Sequence, residues 1–235
     1  MSAAENDAHE HLTQDDRPDD RSAVGRKAAG EDPAKREQII DGAKRVFMSV
    51  GFDAASMNDI TREAGVSKGT IYVYFQNKED LFVALIEQER NRVVRSIKHA
   101  LDDHEPIDEA LFEFGRTLTS HITSDDTIRA MRMVLGVSDR MPTLAKRFFA
   151  AAPENGYTVL KAYLERQVQQ ARIEIEDTDL ATRQFIEICM AGMLKRRLFG
   201  EMEAPPALAY IEKAVASGVK IFLLAYGGEP AAMSI

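Results

Sequence analysis

The sequence predicts an all-α protein of about nine helices, a compact three-helix unit followed by a larger helical part. Three observations predict it. After Pro33, apolar residues recur three and four positions apart, the period of a helix with one buried face. No stretch alternates apolar and polar residues with the period of two that a strand needs, and no segment repeats. Residues that start or stop helices fall between the apolar stripes.

Residues 1–20 hold seven acids and one base, and so carry most of the chain's net charge of −8. They lack periodicity and aromatic residues, which predicts a disordered acidic leader. Arg21, Arg26 and Lys27 follow, a basic arm just ahead of the first helix, and leader and arm together take up residues 1–33. Ile39, Ala43, Val46, Phe47 and Val50 then form one helical stripe that Gly51 ends. Ser56, three before Asp59, has the spacing of a capping box for a short helix, Met57 to Ala64. Gly65-Val66 breaks it, and Ser67 caps a second short helix, Lys68 to Tyr74. Asn77 caps a long helix with Leu81, Phe82, Leu85, Ile86, Val93, Ile97 and Leu101 as its apolar positions. Further helices are expected near 107–121, 125–138, 143–170, 178–199 and 206–226, three of them next to prolines that suit a first helical turn.

Composition excludes several functions. The longest unbroken apolar run, Ile221 to Tyr226, is far short of the roughly 20 residues a membrane helix needs. The opening MSAAENDAHE has no apolar core, so no secretory signal is expected, and a cytoplasmic protein is. The single cysteine, Cys189, excludes an internal disulfide and a multi-cysteine zinc site. His99, His104 and His121 have no metal-ligand spacing, and neither phosphate-loop nor nucleophile-elbow motifs occur. No enzyme activity, metal or cofactor is expected.

The informative stretch is Ser56 to Lys78, SMNDITREAGVSKGTIYVYFQNK. Two short helices joined by a glycine-containing turn are the parts of a helix-turn-helix, whose second helix reads the major groove from its N-terminal end. Ser67, Lys68 and Thr70 supply donors there, and Gly69 lets a phosphodiester backbone come close. Ile71 and Phe75 are four apart and should face the core, turning Tyr72 and Tyr74 to other faces. Lys78 opens the next helix, within reach of a phosphate.

Residues 35–85 resemble the DNA-binding domain of the TetR/AcrR family of bacterial transcriptional regulators. The resemblance is carried by Phe47 to Phe52 (Phe-x-x-x-Gly-Phe), Met57, Ile60, Ala64-Gly65-Val66-Ser67, Gly69-Thr70-Ile71-Tyr72, Phe75 and Lys78-Glu79-x-Leu81. It implies DNA contact by Ser67, Lys68, Gly69, Thr70, Tyr72, Tyr74 and Lys78, with Ser56 and Met57 near the backbone. Val73 stands where many members have a second tyrosine, and Tyr74 where many have histidine. The implied organisation is a helix-turn-helix domain over 34–80 and a ligand-binding and dimerisation domain over 81–235.

For the second domain the resemblance implies a homodimer built on the last two long helices. The expected interface is Phe185, Ile188 and Gly192 on one, and Ile211, Val215, Gly218, Val219 and Phe222 on the other. The middle helices are rich in soft and aromatic side chains, which suit an apolar effector. Phe112, Met131, Phe148, Phe149, Tyr157 and Tyr163 are the candidate pocket residues, with His121 and Arg132 to orient a polar end. The expected function is a repressor that a small apolar or aromatic molecule releases from a palindromic double-stranded operator, by shifting its two heads out of register with successive major grooves. Two alternatives are ligand-independent DNA binding and thiol sensing through Cys189.

Overall fold

In the computed structural model the described residues are 30, 32–101, 103–143, 146 and 154–227. Among them are ten named helices: α1 (Pro33–Ala54), α2 (Met57–Ala64), α3 (Lys68–Tyr74), α4 (Lys78–Ala100), α5 (Ile107–Ile122), α6 (Asp125–Val137), α7 (Gly156–Gln169), α8 (Thr178–Met190), α9 (Met193–Leu198) and α10 (Leu208–Tyr226). The expected acidic leader and basic arm lie outside the described residues.

Local signals set most boundaries. Asp32 caps α1 by accepting from the Ala34 amide at 3.1 Å, and Pro33 fills the first turn, where no amide donor is needed. Ser56, Ser67, Asn77, Ser124 and Asp177 each accept the amide three residues on. Gly65 ends α2 in the left-handed region, at φ 63° and ψ 38°.

Two predicted helices are corrected. The segment expected as one helix over 143–170 contains a fresh start at Asn155, whose backbone is extended and whose side chain forms a capping box with Thr158. The helix expected over 178–199 is cut in two, because Ala191 (φ 46°) and Gly192 (φ 79°) both turn left-handed and close the ladder of α8 before α9 begins.

Two apolar clusters hold these helices. The first joins α1, α2, α3 and the start of α4. Its centre is Phe47, Phe52 and Phe82, with ring centroids 5.2–5.6 Å apart. Such pairs contribute about 0.5–1.5 kcal/mol each beyond the area they bury. At Gly42 a Cβ would come within 2.7–2.9 Å of Ala64, so only glycine lets α1 and α2 approach this closely. Val134 and Val137 of α6 are buried in the same cluster, which ties a helix of the larger part into the smaller one.

The second cluster joins the end of α4 with α5, α7, α8 and α10. Phe114, Phe185 and Phe222 stack through it, and Tyr163 is fully buried at its side. The buried guanidinium of Arg197 fastens the bend between α5 and α6 to the loop after α9. It donates to the carbonyls of Thr123 (3.0 Å), Met202 (2.9 Å) and Glu203 (2.5 Å), and pairs with Asp125 at 2.5 Å.

Candidate functional site

The second short helix presents a small polar edge. Ser67 Oγ accepts the Thr70 amide at 3.0 Å and bonds the Thr70 hydroxyl at 2.7 Å, so both side chains are set before any ligand arrives. Lys68, Gly69, Tyr72 and Val73 are exposed, whereas Ile71 and Phe75 are buried beneath them. Only the Ser67 hydroxyl, at 3.8 Å, lies near the place a Cβ would take at Gly69, which leaves that backbone open to close approach. Tyr74 and Met57 are half-buried against the first cluster, and Ser56 is engaged with Asp59 as the cap of α2. Gly30 lies beside this helix: a Cβ there would be 3.1 Å from Val73 Cγ1.

Lys78 is a correction. Its ammonium turns back onto the end of α1, donating to the carbonyls of Phe52 (2.9 Å), Asp53 (3.1 Å) and Ala55 (3.2 Å) and lying 4.7 Å from the Phe52 ring centroid. All three of its donors are used, so it closes a helix end instead of awaiting a phosphate.

A cavity of about 220 Å³ lies where the two parts meet. Lys44 and Met48 of α1 form one wall. The others come from Leu85 to Val94 of α4, Leu118, His121 and Ile122 of α5, Asp126 to Met131 of α6, and Gly156 of α7. Lys44 bridges Glu89 at 3.0 Å and Asp126 at 2.7 Å across its edge. Burial opposes the charge on Lys44, but its hydrogen bonds to Asp126 and Glu89 outweigh that and hold its pKa above the ordinary value. Burial pushes His121 below its ordinary pKa; Glu89 and Asp126 pull it up, and Lys44 and Arg92 push it further down. The ring faces Thr127 Oγ1 at 3.4 Å.

Of the expected pocket residues, His121 and Met131 line this cavity, and four described ones do not. Arg132 donates to the carbonyls of Leu198 (2.9 Å) and Arg197 (2.6 Å), closing the end of α9. Tyr163 is core, and Phe112 packs half-buried against the same cluster. Tyr157 bonds Asp179 through its hydroxyl, with Arg183 over its ring. Phe148 and Phe149 lie outside the described residues. Sequence reasoning missed Lys44, Met48, Glu89 and Arg90. The one available signal was Glu89-Arg90, a charged pair interrupting the apolar spacing of α4 between Ile86 and Val93.

Residues 39–85 match the family of bacterial regulatory proteins described as the tetR family. Residues 109–228, half of the chain, match the AefR-like transcriptional repressor C-terminal domain. The chain belongs to the TetR family. It is a DNA-binding transcriptional regulator and not an enzyme. The HTH-type transcriptional repressor Rv1474c of Mycobacterium tuberculosis is 26% identical over 187 residues, covering 80% of this chain and 94% of that protein. The flavonoid-responsive regulator FrrA is 29% identical with a TM-score of 0.67, covering 84% of this chain and 99% of that one. A TetR-family regulator from Mesorhizobium loti shares the fold, with a TM-score of 0.75 at 24% identity over 83% of this chain and 98% of that one. TetR regulators bind DNA operators and act as dimers. No described helix is long and apolar enough to cross a membrane.

Against the TetR frame, the expected dimer stripe is a second correction. Phe185, Ile211, Val215, Gly218, Val219 and Phe222 are all buried within the single chain. A Cβ at Gly218 would sit 3.0 Å from Ile188 of the same chain, so this small residue serves the packing of α10 on α8. Ile188 is half-buried in that contact, and Gly192 is an exposed left-handed cap of α9. The outward face of α10 carries Tyr210, Ser217, Ile221 and Leu224, seven, four and three apart and all exposed.

Proposed function

We propose that this regulator is a homodimeric repressor that leaves a palindromic operator when a small apolar or aromatic molecule fills the cavity between α1, α4, α5 and α6. The observation that carries this reading is the composition of the cavity wall. Lys44 and Met48 belong to the helix that packs on α2, and the remaining walls belong to the larger part. A ligand that spreads these walls changes the angle of the reading head, and a shift of a few ångströms spoils the match to grooves about 34–36 Å apart. The division into a leader over 1–33, a head over 34–80 and a regulatory part over 81–235 belongs to this reading, as does a cytoplasmic location. In the head, Lys68, Gly69, Tyr72 and Val73 meet the major groove while Ser67 and Thr70 fix the helix start.

Dimerisation is assigned to the outward faces of α8 and α10, where Leu180, Tyr210, Ile221 and Leu224 are exposed. Exposed apolar side chains gathered on one face mark an interaction site. Thiol sensing is disfavoured, since burial pushes the Cys189 thiol up to about 12 and the nucleophilic thiolate is not formed at neutral pH. The relative FrrA is named as flavonoid-responsive, which supports an aromatic effector.

Selection of bound sequences from random duplex DNA tests the reading. An inverted repeat with half-sites one or two helical turns apart is expected, and fluorescence anisotropy should show its release by small aromatic compounds. A single half-site bound by one chain, or binding that no such compound alters, would overturn it.

A further inference from the structure

Among the described residues, the proposed effector cavity has one buried side-chain donor without a partner. Arg90 lines it from α4, and its Nε is shut off from solvent with no hydrogen-bond partner. Among the described residues its guanidinium makes no ion pair. The two carboxylates that line the cavity are already taken: Lys44 holds both Glu89 and Asp126, and Arg92 holds Glu89 again at 3.2 Å. Buried donors in folded proteins are paired, and an orphaned one beside a void marks a missing acceptor.

Resting on the reading of this cavity as the effector site, we propose that the effector is a small monocarboxylate whose apolar body is about the size of one aromatic ring, bound with its carboxylate on Arg90. A guanidinium edge offers two parallel donors that match a carboxylate. A cationic ligand would have to displace Lys44 from both acids, whereas an anion at Arg90 displaces nothing. A doubly charged anion would bring a second, unpaired charge against Leu85, Val93, Leu118 and Met131. Size selects the body. A cavity of about 150 Å³ admits benzene, so about 220 Å³ leaves room for a ring, a short linker and the acid group.

The test is calorimetric titration of the full chain with benzoate, phenylacetate, 3-phenylpropionate and cinnamate, each beside its uncharged primary amide. At least one acid is expected to bind about tenfold or more tighter than its amide, the scale of one charge-assisted hydrogen bond. Arg90→Met should bring the acid down to the affinity of the amide, and Arg90→Lys should keep part of the preference. Circular dichroism reports whether each variant folds. If Arg90→Met does not, the acid–amide comparison on the native chain and Arg90→Lys still decides. Equal binding of acid and amide, a preference that survives Arg90→Met, or no binding by any acid overturns the proposal. Anisotropy with the selected operator separates the two readings. Acids that bind at Arg90 without releasing DNA support the carboxylate site and sink the effector role. Amides that bind and release DNA as well as acids do the reverse.

Discussion

Two lysines of the reading head, Lys68 and Lys78, have opposite consequences when removed. Lys68 is exposed at the start of α3, so Lys68→Ala should weaken binding to all sequences similarly and lower the salt slope by about 1 for each head. Lys78→Ala leaves the carbonyls of Phe52, Asp53 and Ala55 without their donor, so the loss should be of stability, on the order of 1–2 kcal/mol. Denaturant unfolding and anisotropy at several salt concentrations separate the two. An unchanged midpoint for Lys78→Ala, with a flattened salt slope, would return that lysine to the DNA surface. His121 gives a pH test. Its folded-state pKa lies below the ordinary value because burial disfavours the charged ring. Below about pH 6.5 the unfolded chain therefore takes up a proton that the folded chain resists, and stability falls as pH falls through that range. Between about pH 7.5 and about pH 5.5 the native chain should lose more stability than His121→Asn. Equal losses would assign the pH dependence to other groups.

At the scale of elements, what the sequence makes legible is what is local. Ser56, Ser67 and Asn77 each bond an amide three residues away, so the capping pattern alone locates α2, α3 and α4. The partners of Lys78 lie 23–26 residues away, and nothing near Lys78 signals them. The stripe Ile211, Val215, Val219, Phe222 correctly says that one face of α10 is buried, but periodicity does not say against what. The break between α8 and α9 falls at an alanine with positive φ, where local propensity favours continuing the helix. The far end of α9 is held by Arg197, two of whose partners, Thr123 and Asp125, lie 74 and 72 residues away. Arg197→Met keeps much of the volume but leaves the buried Thr123 carbonyl without a donor and frees the loop at Met202 and Glu203. A loss on the order of 3 kcal/mol is expected. A small change in the unfolding midpoint would mean that water replaces the guanidinium and that the bend holds without it.

For the whole molecule, the proposed mechanism depends on two heads held at fixed spacing, since one helix-turn-helix makes too few contacts for strong specific binding. The two faces of α10 make this testable. Its inward face, with Gly218 pressed against Ile188, stabilises the chain itself. Its outward face, with Ile221 and Leu224 at 51% and 71% exposure, is available to a second copy. Gly218→Glu should therefore fail at the level of folding, because a charged side chain is forced into a contact that already lacks room for a methyl group. Leu224→Glu should do the opposite. On a single chain the new carboxylate stays in water and costs little, while in a dimer it faces apolar surface without a partner and costs several kcal/mol. Analytical ultracentrifugation should find Leu224→Glu folded and monomeric at concentrations where the native chain is dimeric. Its affinity for the full palindrome should fall to that for an isolated half-site. A dimeric Leu224→Glu that still binds the palindrome would move the interface away from this face, and with it the geometry by which a filled cavity changes the distance between heads.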